Sequence, residues 1–421
     1  MKTYNILILL ILGINHVTAN YRGLGTIIGI DIGNTFSSVG VYRNGKVEIV
    51  ENEFASKVTP SIVSFLKNGN VSVARDAQTR DGSNSIFDLK YLLGKFAEDN
   101  TIQNNLKNWP FILIDRNNQP LIEITSAFGK NLLTAEDVTS MLIKYLKNMT
   151  ESFLVQEVHN CVITHPVYFD NNQRVAIKKA AKLAGLEVIR LIKEPVAAAL
   201  AFGLDKRGNH RNVLVYHLGG SSSDVTLLSF EDGVFEVIAN IGNVNLGGNV
   251  FNTRVVDYLK KKYETKTNHV LDKDEIKILQ RKVEKAKIAL STQYQVQIDI
   301  NGEVEILTRK KFEELNIDLF EKTIKSVSQV LEDSFLNITD VQDIVFIGGS
   351  TRIPKVRELV RNFFDGKEPV QGVEPDLAVA TGAAMEAGKI QGPSNTMFES
   401  AVDWIVSKLF RTGTPQHDEL R

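Results

Sequence analysis

Ile30-Asp31-Ile32-Gly33-Asn34-Thr35-Phe36-Ser37-Ser38-Val39 is met again, 186 positions later, as Tyr216-His217-Leu218-Gly219-Gly220-Ser221-Ser222-Ser223-Asp224-Val225. In each copy apolar residues alternate into a small polar turn and the alternation then resumes, the pattern of strand, turn and strand. Each copy leads on to a second turn, Arg43-Asn44-Gly45 in one and Glu231-Asp232-Gly233 in the other. Glycine lets a backbone approach an anion closely, and successive N–H groups with hydroxyls can cradle phosphate oxygens. One such segment alone reads as an ordinary hairpin. Two at equivalent places in two halves of a chain predict two similar lobes closing on one polyphosphate.

Between the copies the chain reads as α/β. Thr134 with Asp137 has the form of a capping box, and the helix it opens carries apolar residues at Val138, Leu142, Tyr145, Met149 and Phe153. A strand is expected over Cys161–Val167, a helix from Asp170 to about Ala184 stopped by Gly185, and a strand over Val188–Ile192. That strand delivers Lys193-Glu194-Pro195 to a short buried helix, Val196–Phe202. Strands alternating with helices imply a mainly parallel sheet with ligands at the strand ends, where Glu194 stands.

The 421 residues exceed what one core usually serves, which agrees with two lobes. A formal net charge of -1 offers no basic surface for nucleic acid. The single cysteine, Cys161, rules out an internal disulfide framework, and its apolar setting marks it as a core thiol. Residues 1–19 read as a signal peptide: Lys2, an apolar run from Ile6 to Ile14, and small residues at Val17-Thr18-Ala19. The run is short of the roughly 20 residues that span a bilayer, and no transmembrane segment is expected later. A buried strand or an uncleaved anchor is the alternative for this segment. Sequons at Asn70, Asn148 and Asn337 fit a lumenal chain. The end, His417-Asp418-Glu419-Leu420-Arg421, holds an endoplasmic-reticulum retrieval address masked by one arginine. The endoplasmic-reticulum lumen is therefore the expected location, with secretion as the alternative.

The first loop, Glu194-Pro195 with Ala197-Ala198-Ala199, and Gly348-Gly349-Ser350-Thr351-Arg352-Ile353-Pro354 together resemble the 70-kDa heat-shock chaperones. The likeness runs from about Thr26 to Gly392. It implies an actin-like two-lobed ATPase fold over residues 20–392, with duplicated ribonuclease-H-like lobes divided near residue 210 and a nucleotide cleft between them. The family's peptide-binding domain is not expected after Gly392, and residues 393–421 read as a tail with an amphipathic helix over Met397–Phe410.

The resemblance also implies roles. Lys90 matches a catalytic lysine that contacts the γ-phosphate and the attacking water. Asp31 and Glu194 match acids that hold hydrated magnesium. Gly33, Asn34, Thr35 and Phe36, with Gly219, Gly220, Ser221 and Ser222, match the phosphate turns. Glu284, Lys287 and Ser291, spaced to share a helix face, match the grip on adenosine. Gly348, Gly349, Ser350, Arg352 and Asp376 match the other side of the purine site. ATP or ADP with magnesium is the implied cofactor set, and exchange factors or other chaperones are the implied partners.

The chain departs from the family pattern at several of these places. His217 stands where a second catalytic aspartate is expected, Asn34 for a threonine, Phe36 for a tyrosine, and Ile288 for an arginine that stacks on adenine. Ser221 replaces the third glycine of the second loop and Asn249 an acid near the cleft. Magnesium prefers oxygen ligands and retained water, so imidazole is a poor substitute. Three readings follow: a slow chaperone-type ATPase, a nucleotide-binding module without turnover, and a small-molecule kinase, for which no sugar-binding signature is present.

Overall fold

The computed structural model describes residues 24–74, 84–208 and 210–392. The expected signal peptide, the tail helix over Met397–Phe410 and the terminal retrieval sequence lie outside the described residues.

Two sheets organise the chain. The first is built from β1 (Ile27–Ile32), β2 (Phe36–Arg43), β3 (Lys46–Ile49), β4 (Asn160–His165) and β5 (Glu187–Lys193) in the order β5-β4-β1-β2-β3. β1 runs parallel to β4 and antiparallel to β2. The second comprises β6 (His210–Leu218), β7 (Ser222–Glu231), β8 (Val234–Val244) and β9 (Asp343–Ile347) in the order β8-β7-β6-β9. There β6 runs parallel to β9 and antiparallel to β7, so the same meander and crossover recur. Both second turns place two consecutive residues at positive φ: Asn44 at 54° with Gly45 at 77°, and Asp232 at 50° with Gly233 at 85°. These are the mirror-type turns whose twist suits a two-residue hairpin, and asparagine, aspartate and glycine tolerate them best. The actin-like ATPase fold with duplicated lobes is what the chain adopts.

Helix α1 (Ala135–Leu154) opens on the expected box: Thr134 Oγ1 accepts from the Asp137 N–H at 3.1 Å, and Asp137 Oδ2 accepts from the Thr134 N–H at 2.9 Å. Its buried face follows the expected stripe as far as Met149. Val138 and Leu142 are buried and Tyr145 and Met149 are half-buried against the same core, while Phe153 is exposed and lies under the Arg43 guanidinium. The buried face is broader than the stripe and takes in Thr139, Ile143, Leu146 and Thr150, because the threonine hydroxyls bond back to carbonyls one turn earlier and can be buried. The strand expected to reach Val167 stops at His165, since Pro166 cannot donate to a ladder. Helix α2 (Asn171–Leu183) is capped by Asp170 with Gln173 and is followed by Gly185 at φ 78°. Helix α3 (Glu194–Ala201) begins two residues earlier than expected, at Glu194, because Pro195 is suited to the first helical turn.

The second lobe carries α4 (Gly248–Thr267), α5 (Lys273–Ala289), α6 (Arg309–Asp333) and α7 (Pro354–Phe363), and the chain then returns as α8 (Ala378–Gln391) to pack on β1, β2 and α3 of the first lobe. One core lies under each sheet, and a third joins them through Ile27, Val162, Ala197, Val215, Ile347 and Ala383. At this junction α8 meets β1 and α3 backbone to backbone. A Cβ on Gly382 would lie 1.7 Å from the Ala197 carbonyl oxygen, and one on Gly29 would lie 2.1 Å from the Ala384 nitrogen. No helix among the described residues is long and apolar enough to cross a membrane.

Candidate functional site

The two turns that define the duplication face each other. Thr35 Oγ1 and Ser221 Oγ, equivalent residues of the two copies, are 3.3 Å apart. Close packing explains the glycines: a Cβ on Gly33 would sit 2.1 Å from the Phe36 carbonyl oxygen, and one on Gly220 would sit 2.3 Å from Thr35 Oγ1. Below the turns, the ends of β1, β5 and β6 bring together the charged groups. Lys90 Nζ donates to Glu194 Oε1 at 2.5 Å, and both side chains are buried. Asp31 accepts from Thr164 Oγ1 at 2.7 Å. The Lys90 N–H donates to Asn34 Oδ1 at 3.2 Å, so the Asn34 side chain holds the turn that carries the lysine.

Burial draws the Lys90 ammonium down, but Glu194 and Asp31 outweigh it and the net shift is upward, so the lysine is charged. Burial pushes the Asp31 carboxyl up against the pull of Lys90 and Thr164. His217 faces Glu194 Oε2 at 3.9 Å. Burial, together with Lys90, takes this imidazole down to about 4, so it is neutral at pH 7 and forms no ion pair. On the neighbouring strand, Asp224 stands in register with His217 just as Ser38 stands beside Asp31. Burial, with Glu194 nearby, pushes Asp224 up to about 7, and its Oδ1 is buried without a hydrogen-bond partner. Glu194, His217, Asp224, Thr226 and Asn240 line a small cavity here.

The second wall converges on the same place. Glu284 accepts from Lys287 Nζ at 2.6 Å and from Asn252 Nδ2 at 2.5 Å. Ser350 Oγ donates to the Gly219 carbonyl at 2.9 Å. A Cβ on Gly248 would lie 2.7 Å from both Lys287 Nζ and Ser350 Oγ, so this glycine is where the Glu284–Lys287 wall meets the Gly219 turn. Ser291 lies past the end of α5, its N–H bonded to the Ile288 carbonyl in a closing turn, rather than on the helix itself. Arg352 is bound by Asp376 at 2.5 Å and Glu374 at 3.1 Å. Gly348 adopts φ 85° and its N–H donates to the Pro375 carbonyl, which ties the glycine turn to the Asp376 loop. Around Gly349 the space is open, and Ile288 is exposed.

A family model described as Hsp70 protein matches residues 27–401. The chain belongs to the Hsp70 family. Its matched region is the nucleotide-binding chaperone ATPase core, and the match continues past Gly392, where the likeness was expected to end. Hsp70 membership implies ATP or ADP with magnesium, and work alongside co-chaperones.

Among the described residues no group of three or more His, Cys, Asp or Glu side chains converges as a metal cage. Magnesium usually keeps several waters and binds through phosphates with one or two carboxylates. Asp31 and Glu194 beside an unpartnered Asp224 oxygen fit that arrangement, and the glycine turns leave backbone room for phosphates.

Several residues that the fold brings to this cluster carry little signal in the sequence. Asp224 lies inside the second copy of the repeat, and its place opposite His217 is the available signal. Gly247-Gly248 before a 20-residue helix was another, since a helix N-terminus favours anions. Asp88 and Tyr91 flank Lys90 and carried no separate signal.

Proposed function

We propose that this Hsp70-family chain binds adenine nucleotide between its lobes and hydrolyses it slowly. Gly33 to Phe36 and Gly219 to Ser222 hold the phosphates with N–H groups and hydroxyls. Lys90 orients the γ-phosphate and the attacking water, and Asp31 with Glu194 receives the metal's waters. Glu284, Lys287 and Ser291 on one side, and Gly348, Gly349, Ser350, Arg352 and Asp376 on the other, hold adenosine. Magnesium, when bound, neutralises phosphate charge as the terminal bond breaks. The observation that carries slow turnover is the neutral His217 at the place of a metal-orienting acid. Losing a positioned acid or base costs about 10²–10⁴ in rate.

That same imidazole favours a second reading, a module that responds to nucleotide without turnover. Labelled ATP with magnesium separates the two. Binding with hydrolysis above the buffer rate supports the first reading, binding with none supports the second, and absence of binding refutes both.

The proposed location is the endoplasmic-reticulum lumen, supported by the apolar leader, the sequons and the masked address. Protease protection in microsomes tests it. Deleting Arg421 should tighten retention, and secretion unaffected by that deletion would dismiss the retrieval idea.

A further inference from the structure

The turn that carries Lys90 is bound on both flanks to the opposite lobe. Before it, Asp88 adopts φ 57° and its Oδ1 accepts from Ser221 Oγ at 3.3 Å. Its other oxygen, Oδ2, accepts from Trp109 Nε1 at 3.1 Å, which fixes the carboxylate. After it, the buried Tyr91 hydroxyl donates to the Ser221 carbonyl at 3.4 Å and also meets the Ser222 hydroxyl and the Asn245 backbone. Ser221 Oγ is further within 3.3 Å of Thr35 Oγ1 and of Asn249 Nδ2. A serine hydroxyl has one proton and two lone pairs, so one hydroxyl here serves groups from both lobes. Ser221 and Asn249 are two of the positions where this chain departs from its family pattern. A glycine at 221 would have no atom to offer Asp88, Thr35 or Asn249.

We propose that Ser221 is a clasp between the lobes, a positioning residue that locks the Lys90 turn to the second phosphate turn and so slows nucleotide exchange. The inference rests on the nucleotide-binding reading and adds to it a rate-setting device specific to this chain. Because Tyr91 adjoins Lys90 and Asp88 lies two residues before it, the cleft cannot open at this point without moving the lysine. Two hydroxyls 3.3 Å apart leave no space for a phosphate group between them, so the clasp must open for nucleotide to pass between the tips of the two turns. Closure and grip on the terminal phosphate are then one motion.

The clasp has a built-in reporter. The sequence holds two tryptophans, Trp109 and Trp404, and Trp109 is bonded to the same carboxylate that Ser221 engages. With Trp404 changed to phenylalanine, the full-length protein reports through Trp109 alone, with or without nucleotide. Ser221→Gly and Tyr91→Phe should each shift Trp109 emission in the nucleotide-free protein. Each should also speed release of a fluorescent ADP analogue about tenfold in stopped flow. Ser221→Thr, which keeps the hydroxyl, should restore the emission and most of the slow release. Tyr91→Phe removes one oxygen and keeps the test open if Ser221→Gly proves unstable by circular dichroism. Unchanged emission and unchanged release in folded variants would overturn the clasp. Changed emission in a protein that binds no ADP would instead sink the nucleotide reading and leave the clasp as an interlobe tie only.

Discussion

Restoring an acid at position 217 tests the site most directly, and the structure sets the size of the effect. His217→Asp would place a carboxylate among Asp31, Glu194 and Asp224, with Lys90 as the cation that shares their cluster. The imidazole nitrogen is 3.9 Å from Glu194, and the shorter aspartate would stand farther off. Two like charges about 6 Å apart at an effective dielectric near 20 repel by roughly 3 kcal/mol. In a metal chelator the variant should therefore lose about 3 kcal/mol, a fall of about 3 °C in Tm for a chain of this size. Magnesium with ADP should return that loss, while His217→Asn, equal in shape and without charge, should show no metal dependence. ATP hydrolysis by His217→Asp should rise at least tenfold, about 1.4 kcal/mol of barrier. Scanning fluorimetry in chelator and in magnesium-ADP, followed by phosphate release, gives both measurements. A Tm for His217→Asp that ignores magnesium would refute the claim that a metal's waters reach this position.

Three further outcomes are expected. Lys287→Ala should weaken ADP binding by calorimetry, since its ammonium bridges Glu284 and the Gly248 junction; unchanged affinity would remove it from the site. Asp224 sits at about 7 in the fold and near 3.8 unfolded, so the folded state holds the extra proton between those values and stability drains as pH rises through them. His217 works in the opposite sense: at about 4 folded against 6.5 unfolded, its contribution is present above pH 6.5 and lost as pH falls toward 4. Asp224→Asn should accordingly steepen the acid-side loss and raise stability at pH 7 by up to a few kcal/mol in urea titrations; an unchanged pH profile would refute the buried-acid assignment. Cys161 is fully buried with its thiol pushed up by burial, so a thiol reagent should modify it in guanidinium and leave it untouched in the native protein.

Much of the fold was legible because its signals are local. The repeated turns, the Thr134 and Asp170 caps and the Pro195 helix start are each fixed by a few neighbouring residues, and the structure places them within two residues of expectation. The breadth of the buried face of α1 was not legible, because buried threonines satisfy their hydroxyls within the helix and read as polar in sequence. The site divides in the same way. The glycine turns follow from motif, Glu194 from its strand end and Lys90 from the family resemblance, whereas the Lys90–Glu194 pair, Asn34 holding the Lys90 turn, and Asp88 and Tyr91 reaching across to Ser221 depend on which segments the fold brings together. Those contacts span more than fifty positions of chain, and no periodicity encodes them.

The crossing of α8 over β1 and α3 has a consequence for heredity as well as for motion. Where Gly29 and Gly382 touch backbone, there is no side chain to repack, so a single added methyl must push main chain apart. An inherited change of glycine to alanine at either place should behave as loss of the entire protein. Gly349, beside open space, should pass the same change with its fold intact and reveal it only through the ligand.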